Sequence, residues 1–281
     1  MKKITFLALL GILALGVEPL YALPPVKVAA TVGPSHGNVS VTIPPKAVEV
    51  APNVFSLGTA FDSASDALVE GYAIVHKKKG FAKGNSARGP GATSCYGFLA
   101  KGSKWKTVEP WVVNPANPSG LSHDFVFSTL GSGIAKWEDV TDGVVNGSGQ
   151  NVLGNGATTS AVLVADMASP DNLNEVYFDA LEDGTIGVTI VWGIFGGPVR
   201  ERKLVEWDQI YNTLYQWSAT GEVDKMDFNN IATHELGHSV GLADLYSGSC
   251  LNETMYGYAD YGEVNKRDLN SGDIAGMNSL Y

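Results

Sequence analysis

The chain has 281 residues, 44% of them hydrophobic and 17% charged, which is the composition of a globular protein rather than of a long disordered tail. Its 29 acidic and 19 basic residues give a formal charge of −10, which argues against a nucleic-acid partner because phosphate-binding surfaces need clustered Lys and Arg. The 33 glycines indicate many turns and long loops. The length suits one large domain or two small ones.

The first 22 residues have the pattern of a secretory signal peptide. Lys2 and Lys3 precede an apolar run over residues 4–17, and Ala22 is a small residue at the expected cleavage position. The run is shorter than the ~20 residues that a bilayer span needs, and no later segment of the sequence is long and apolar enough to span. The sequence therefore predicts a secreted, extracellular protein without a membrane span in its mature chain, and an uncleaved N-terminal anchor is the alternative.

Residues 23–96 are interpreted as a small N-terminal segment that is removed as a propeptide. Strand-like runs occur at residues 54–60 and 68–76, between two proline-rich patches and a polar stretch. That stretch, residues 77–91, is rich in glycine and indicates an exposed linker that a protease would cut.

Residues 97–281 are expected to form the main domain. Apolar residues at helical spacing predict a helix over 122–141, and residues 143–160 are expected to be a long loop. Pro110 predicts an edge position for a strand at 108–114. Further strand-like runs are found at residues 162–167, 175–178, 186–192 and 204–211. This order of elements predicts an α+β domain with a twisted mixed sheet.

The chemistry is concentrated in residues 234–244. His234 and His238, at positions i and i+4, project from one face of a helix and can bind one Zn²⁺. Glu235 follows the first histidine, where it can take a proton from water at the metal. Gly241 permits the positive φ that ends a helix, and the turn would bring Asp244 back as a third ligand.

This motif, followed by Met255, resembles the metzincin metalloproteases, in which a third ligand follows the glycine and a methionine turn lies beneath the metal. Residues 254–256 and 267–281 resemble the closing segment of the matrixins, the matrix-metalloproteinase branch, and the similarity extends over residues 97–281. The usual third matrixin ligand is histidine, whereas Asp244 resembles the aspartate of the snapalysin branch. The matrixin propeptide motif that places a cysteine on zinc is absent.

The resemblance implies a metzincin-type catalytic domain with an active-site helix and a C-terminal helix. It also implies a secreted zinc endopeptidase (hydrolase of EC 3.4.24 type) in which His234, His238 and Asp244 hold zinc and Glu235 acts as general base and acid. Met255 would pack beneath the metal. By the same resemblance, a peptide or protein substrate would add as a strand at residues 196–202, and residues 256–261 would shape the pocket for the residue after the scissile bond.

Two interpretations of Cys95 remain open. In an oxidising compartment Cys95 and Cys250 are a natural disulfide pair. Alternatively, because Cys95 lies near the start of the domain, its thiolate would bind the zinc, block the water site and keep a zymogen inactive.

The remaining residues with metal-binding side chains receive weaker interpretations. His36, His76 and His123 are interpreted as solvated or sheet histidines, because the resemblance assigns none of them a role. Asp166, Asp171 and Asp179 are candidates for a Ca²⁺ site.

Two alternative functions stay open beside the active monomeric peptidase. One is a secreted, zinc-stabilised binding module without catalysis, and the other is a latent zymogen that acts only after processing.

Overall fold

The computed structural model describes residues 41–81, 94–140 and 152–281, all within one compact unit, Asn38–Tyr281. The predicted signal peptide and most of the predicted linker lie outside these residues. The described elements, in chain order, are β1 (Val48–Ala51), β2 (Val54–Asp62), β3 (Ala67–Lys78), β4 (Trp111–Val113), α1 (His123–Asp139), β5 (Gly156–Thr158), β6 (Asn174–Asp179), β7 (Thr185–Ile194), β8 (Lys203–Asn212), β9 (Trp217–Ser218), β10 (Met226–Asp227), α2 (Phe228–Ser239), β11 (Tyr258–Ala259) and α3 (Ser271–Leu280).

Nine strands form one mixed sheet in the order β1-β2-β3-β7-β8-β6-β4-β5, with β11 paired to β3. The pairs β4–β5, β4–β6, β6–β8 and β3–β11 are parallel, whereas the pairs β1–β2, β2–β3, β3–β7 and β7–β8 are antiparallel. The short strands β9 and β10 form a separate parallel pair. The mixed sheet with its active-site and C-terminal helices confirms the predicted α+β fold.

The sheet extends across the predicted domain boundary at residue 96/97. Strand β3 pairs with β7 from Glu70 opposite Gly193 to Lys77 opposite Thr185, so the N-terminal strands are part of the same sheet. The two strands pack tightly at Gly71, where an added Cβ would lie 2.6 Å from the Trp192 ring. Glycine is therefore needed for β3 to approach β7 at this point.

The sheet has an apolar core on each face. Helices α1 and α2 cover one face, and the Trp137 indole in α1 donates a hydrogen bond to the carbonyl of Thr233 in α2 at 2.9 Å. The other face carries a smaller core that includes Ala73 and Ile190. Side chains alternate between the two faces along β3, so Ile74 and His76 point towards the helices while Ala73 and Val75 point away.

Three sequence-based expectations about the sheet are wrong. Strand β4 is not at an edge, because it pairs with both β5 and β6. Strand β5 lies inside the predicted loop over 143–160. Residues 162–167 form no strand, since the backbone N–H groups of Val164, Ala165 and Asp166 donate to side chains on neighbouring strands instead of to a ladder.

Within the described ranges, no helix has the length and apolar character needed to cross a membrane.

Candidate active site and metal centre

The helix that carries the motif begins and ends where the sequence predicts. Asp227 caps its first turn by accepting the Asn230 N–H at 2.9 Å. Its last residue is Ser239, and Gly241 has φ +106°, a conformation that favours glycine. A Cβ at Gly241 would also lie 3.0 Å from the Ser103 carbonyl oxygen, so the turn has no room for a side chain. This tight turn returns the chain to the helix face.

His234, His238 and Asp244 converge at one point beside α2. Asp244 Oδ1 lies 3.2 Å from His234 Nε2 and 3.5 Å from His238 Nε2. Among the described residues, none of these three buried atoms has a hydrogen-bond partner. Ligand atoms about 2.0–2.1 Å from a tetrahedral zinc are separated by about 3.3 Å, so this donor set fits the ion.

Backbone carbonyls fix the orientation of both imidazoles. His234 Nδ1 lies 2.6 Å from the Thr254 carbonyl, and His238 Nδ1 lies 2.9 Å from the Leu242 carbonyl. A protonated Nδ1 in each ring leaves the Nε2 lone pair free for a metal. Burial lowers the pKa of His234 to about 4, which favours the neutral ring that metals bind.

The second carboxylate oxygen of Asp244 is held by Tyr246. The Tyr246 hydroxyl lies 2.9 Å from Asp244 Oδ2, and it accepts a hydrogen bond from Asn53 Nδ2 at 3.0 Å. The same hydroxyl lies 3.1 Å from the Pro52 carbonyl. The turn between β1 and β2 therefore contacts the side chain that orients Asp244.

Glu235 is buried next to the convergence point, and both of its oxygens have protein partners. Oε1 lies 3.0 Å from His76 Nδ1, and Oε2 accepts the Thr189 hydroxyl at 2.6 Å. Burial raises the pKa of Glu235 to about 7, within the range of a general base that works near neutral pH.

Met255 packs beneath α2 and is held by the C-terminal helix. It is buried against Gly237, where an added Cβ would overlap the Met255 sulfur. Asp273 in the first turn of α3 accepts the N–H groups of Thr254 and Met255 at 2.8 and 3.1 Å. Asp273 thereby positions Met255 and the carbonyl that orients His234.

Four side chains of the site have no role in the sequence-based interpretation: His76, Thr189, Tyr246 and Lys266. His76 is a sheet histidine, as expected, but its ring lies over His234 with centroids 3.9 Å apart, and its Nε2 is 3.3 Å from Lys266 Nζ. The alternation of β3 indicates that His76 points into the protein. Its contact with Glu235 depends on the register in which β3 pairs with β7, which the alternation alone does not determine.

The two cysteines are joined in a disulfide, Cys95–Cys250. A bonded sulfur has no thiolate, so in this structure Cys95 is not available as a zinc-blocking ligand. The disulfide ties Cys95, next to the predicted boundary at residue 96/97, to the segment between Asp244 and Met255.

Residues 196–202 do not form the predicted strand edge for substrate. They are a turn with a short 3₁₀ helix, Val199–Glu201, that connects β7 to β8. Strand β7 has no free edge either, because it pairs with β8 on one side and with β3 on the other.

A cluster of acidic side chains lies on the sheet face opposite α2. Asp166, Asp171 and Glu206 bring carboxylate oxygens within 4.8 Å of one another. Asp179, which the sequence grouped with them, lies at the far end of β6 and is not in this cluster. Burial raises the pKa of Glu206 to about 11, and that of Asp166 to about 6. Glu206 Oε1 has no hydrogen-bond partner among the described residues.

Comparison with known proteins agrees with this geometry. The family model described as Matrixin matches residues 159–281, which include α2, the turn after it and the C-terminal helix. No curated protein matches the chain. Together with the α+β fold and the helix that carries His234 and His238, the match makes residues 159–281 a matrixin-like metzincin region, which supports zinc-dependent peptidase activity on peptide or protein substrates.

Proposed function

We propose that the chain is a secreted zinc endopeptidase in which His234, His238 and Asp244 hold the metal and Glu235 moves the proton. The observation that carries this proposal is the set of three buried, unpartnered ligand atoms with Asp244 Oδ1 3.2 and 3.5 Å from the two Nε2 atoms. Two imidazoles and one carboxylate are a ligand set of catalytic zinc sites, which keep a further position open.

Bound zinc would polarise the scissile carbonyl and lower the pKa of an attacking water. Glu235 accepts the proton of that water and then delivers it to the leaving amine. Thr189 orients the carboxylate through its bond to Oε2, and Tyr246 orients Asp244 in the same way. To take up a water, Glu235 must exchange its Oε1 contact with His76.

Glu235→Ala tests the proposed chemistry separately from metal binding. We expect the variant to bind zinc like the wild type, because Glu235 is not among the three converging ligands, and to lose hydrolysis of casein. Zinc content is measured by elemental analysis on the same samples. Near wild-type activity in the variant would remove Glu235 from the mechanism.

Two alternatives are distinguished by processing and by catalysis. A secreted binding module without catalysis would bind zinc and hydrolyse no peptide in any processed form, although the presence of Glu235 favours an enzyme. A latent zymogen would gain casein activity after a cut near residues 77–97. Mass spectrometry of the secreted protein, together with the activity of each form, separates the two, and the same spectra test cleavage after Ala22.

We further propose that the acidic cluster binds Ca²⁺. Carboxylate oxygens are the ligands that this ion prefers. The cluster also contains one buried carboxylate oxygen, Glu206 Oε1, that accepts no hydrogen bond from the described residues. Burial raises the carboxyl pKa values, and the like charges of the neighbouring carboxylates raise them further, so that a bound cation would offset both effects. The domain is proposed to act as a monomer.

A further inference from the structure

Strand β3 crosses the front of the proposed active site between two segments of backbone. It runs antiparallel to β7 on one side; on the other side it pairs with β2 over residues 67–74, and Lys77 and Lys78, nearest the site, pair in parallel with Tyr258 and Ala259 of β11. Peptide-binding grooves hold extended ligands in a similar way, by strand addition through main-chain hydrogen bonds. Here the segment in the groove is part of the chain itself.

The side chain of His76 lies buried between the catalytic groups and Lys266, and we call the space that it fills the His76 pocket. The ring is fully buried, lies over the His234 ring and contacts Glu235 Oε1 through Nδ1. Since Nδ1 donates to the carboxylate, Nε2 is the acceptor that faces Lys266 Nζ at 3.3 Å. His76 therefore links the general base to the end of the pocket.

Strand β3 also prevents another peptide from reaching the same groups. His234, Glu235 and His238 have no solvent exposure, and both oxygens of Glu235 are occupied. The β1–β2 turn adds a second contact through Asn53 and Tyr246. A peptide substrate can meet Glu235 only after β3 has moved out of the groove.

Lys266 lies at the end of this pocket and has an unusual environment for a lysine. It is 1% exposed, it donates to the Tyr256 carbonyl, and no carboxylate in the described part of the chain lies within ion-pair distance. Burying an ammonium group with few acceptors and no carboxylate partner is costly. A ligand side chain that ends in a hydrogen-bond acceptor gives Lys266 a second acceptor, whereas an aliphatic side chain leaves it with the Tyr256 carbonyl alone.

We propose that β3 is an internal ligand of the peptide-binding groove, and that Lys266 determines specificity by selecting peptides with an acceptor-bearing side chain, such as Gln, Glu or His, where His76 now lies. This inference rests on the proposed peptidase function, because it assigns the groove next to Glu235 to the substrate. It identifies both the segment that must leave and the class of peptide that replaces it.

A reversible covalent lock tests whether β3 must leave. Ala73 and Ile190 are opposite each other on β3 and β7, on the sheet face away from α2, so cysteines at both positions can form a cross-strand disulfide without touching the site. The native cysteines are already paired with each other. The full chain with Ala73→Cys and Ile190→Cys is cut once by limited proteolysis between residues 81 and 94, and both pieces are retained.

We expect the cut wild type to hydrolyse peptide, the oxidised double variant to be at least tenfold less active, and mild reduction to restore its activity. The Ala73→Cys single variant and wild type in the same reductant are the controls. An oxidised double variant that is as active as the cut wild type would overturn the internal-ligand assignment.

A binding measurement keeps this result separate from the peptidase proposal. A fluorescent Gln-containing peptide is titrated into the cut double variant that also carries Glu235→Ala, in its oxidised and reduced forms. Binding only to the reduced form supports the groove assignment even if no peptide is hydrolysed, in which case the peptidase proposal fails alone. Equal binding to both forms overturns the groove assignment.

The specificity of the pocket is tested with Lys266→Met, which keeps the length of the side chain and removes its donors. Peptides that differ only in Gln, Glu, His or Leu at one position are scanned along the substrate, and kcat/KM is measured for each. We expect the wild type to favour the acceptor-bearing residues over Leu at least tenfold at one position, and the variant to lose or invert this ratio. An unchanged ratio in Lys266→Met, or in Lys266→Gln if the first variant folds poorly, would exclude Lys266 as the determinant.

Discussion

Gly237 in the active-site helix lies directly against Met255, with so little space that a Cβ at residue 237 would overlap the methionine sulfur. The same Cβ would lie 2.8 Å from Cζ2 of the Trp137 ring. The glycine between the two histidines therefore lets α2 rest on the methionine that lies behind the metal ligands. Met255 is fully buried here, and its sulfur lies in the space that a side chain at residue 237 would need.

We expect Gly237→Ala to lower the free energy of unfolding by about 1–3 kcal/mol, because overpacking costs more than the gain in helix propensity. We also expect weaker zinc binding, since α2 carries both histidines. Urea unfolding and chelator competition measure the two effects. The double variant Gly237→Ala, Met255→Ala should show a smaller penalty than the sum of its single variants. Additive penalties would contradict direct packing between the two residues.

Tyr246→Phe should weaken zinc binding by about 10–100-fold, because groups that orient a metal ligand typically contribute this much to affinity. The variant removes the hydroxyl next to Asp244 Oδ2 and retains the ring. Asp244→Ala should weaken binding further. Tyr258→Phe is the matched control, since Tyr258 packs on the Tyr246 ring at 5.2 Å between centroids. If Tyr246→Phe and Tyr258→Phe retain zinc equally well, Tyr246 does not orient the ligand.

The local part of the site could be predicted from the sequence because helix geometry determines it. Residues i and i+4 share a helix face, Asp227 is a typical N-cap, and Gly241 is compatible with a turn of positive φ, so α2 and its end follow from the adjacent residues 227–241. That turn brings Asp244 back towards the two histidines, so its position can be predicted without knowledge of any long-range contact.

The partners of Glu235 could not be predicted because they come from distant strands. His76 is 159 residues away along the chain, and it reaches Glu235 only because β3 pairs with β7 in one particular register. The same reason explains the wrong strand at residues 162–167. The apolar alternation there is real, but the side chains of Glu175, Tyr177 and Asp208 accept the backbone N–H groups that a strand would use.

Removing the disulfide should destabilise the protein without activating it. Cys95 and Cys250 close a loop of 155 residues, and loss of a native disulfide typically costs about 2–5 kcal/mol in small secreted domains. We expect Cys95→Ser, Cys250→Ser to unfold at a lower urea concentration and to show no gain in peptide hydrolysis before processing. A gain in the unprocessed variant would instead support Cys95 as a zinc-blocking ligand.

The acidic cluster should make stability depend on pH and on Ca²⁺ together. Beside the cluster, burial raises the pKa of Glu175, whose charge interacts with Asp171 and Asp166, to about 7 from an ordinary value of 4.5. The folded state therefore holds a proton that the unfolded state has lost between about pH 4.5 and 7, and stability without a cation falls as the pH rises through this window. Above it, ionised carboxylates repel one another, and a bound cation removes that repulsion.

We expect added Ca²⁺ to raise the melting temperature more at pH 8 than at pH 5, because ionised carboxylates are the stronger ligands. Glu206→Gln, which keeps the shape of the side chain and removes its charge, should reduce the Ca²⁺ response and flatten the pH dependence. Glu182→Gln, at an exposed position outside the cluster, is the control. Calorimetric scans at both pH values with and without Ca²⁺ measure these differences. A full Ca²⁺ response in Glu206→Gln would mean that the ion binds elsewhere, because Glu206 supplies the unpartnered buried oxygen of this cluster.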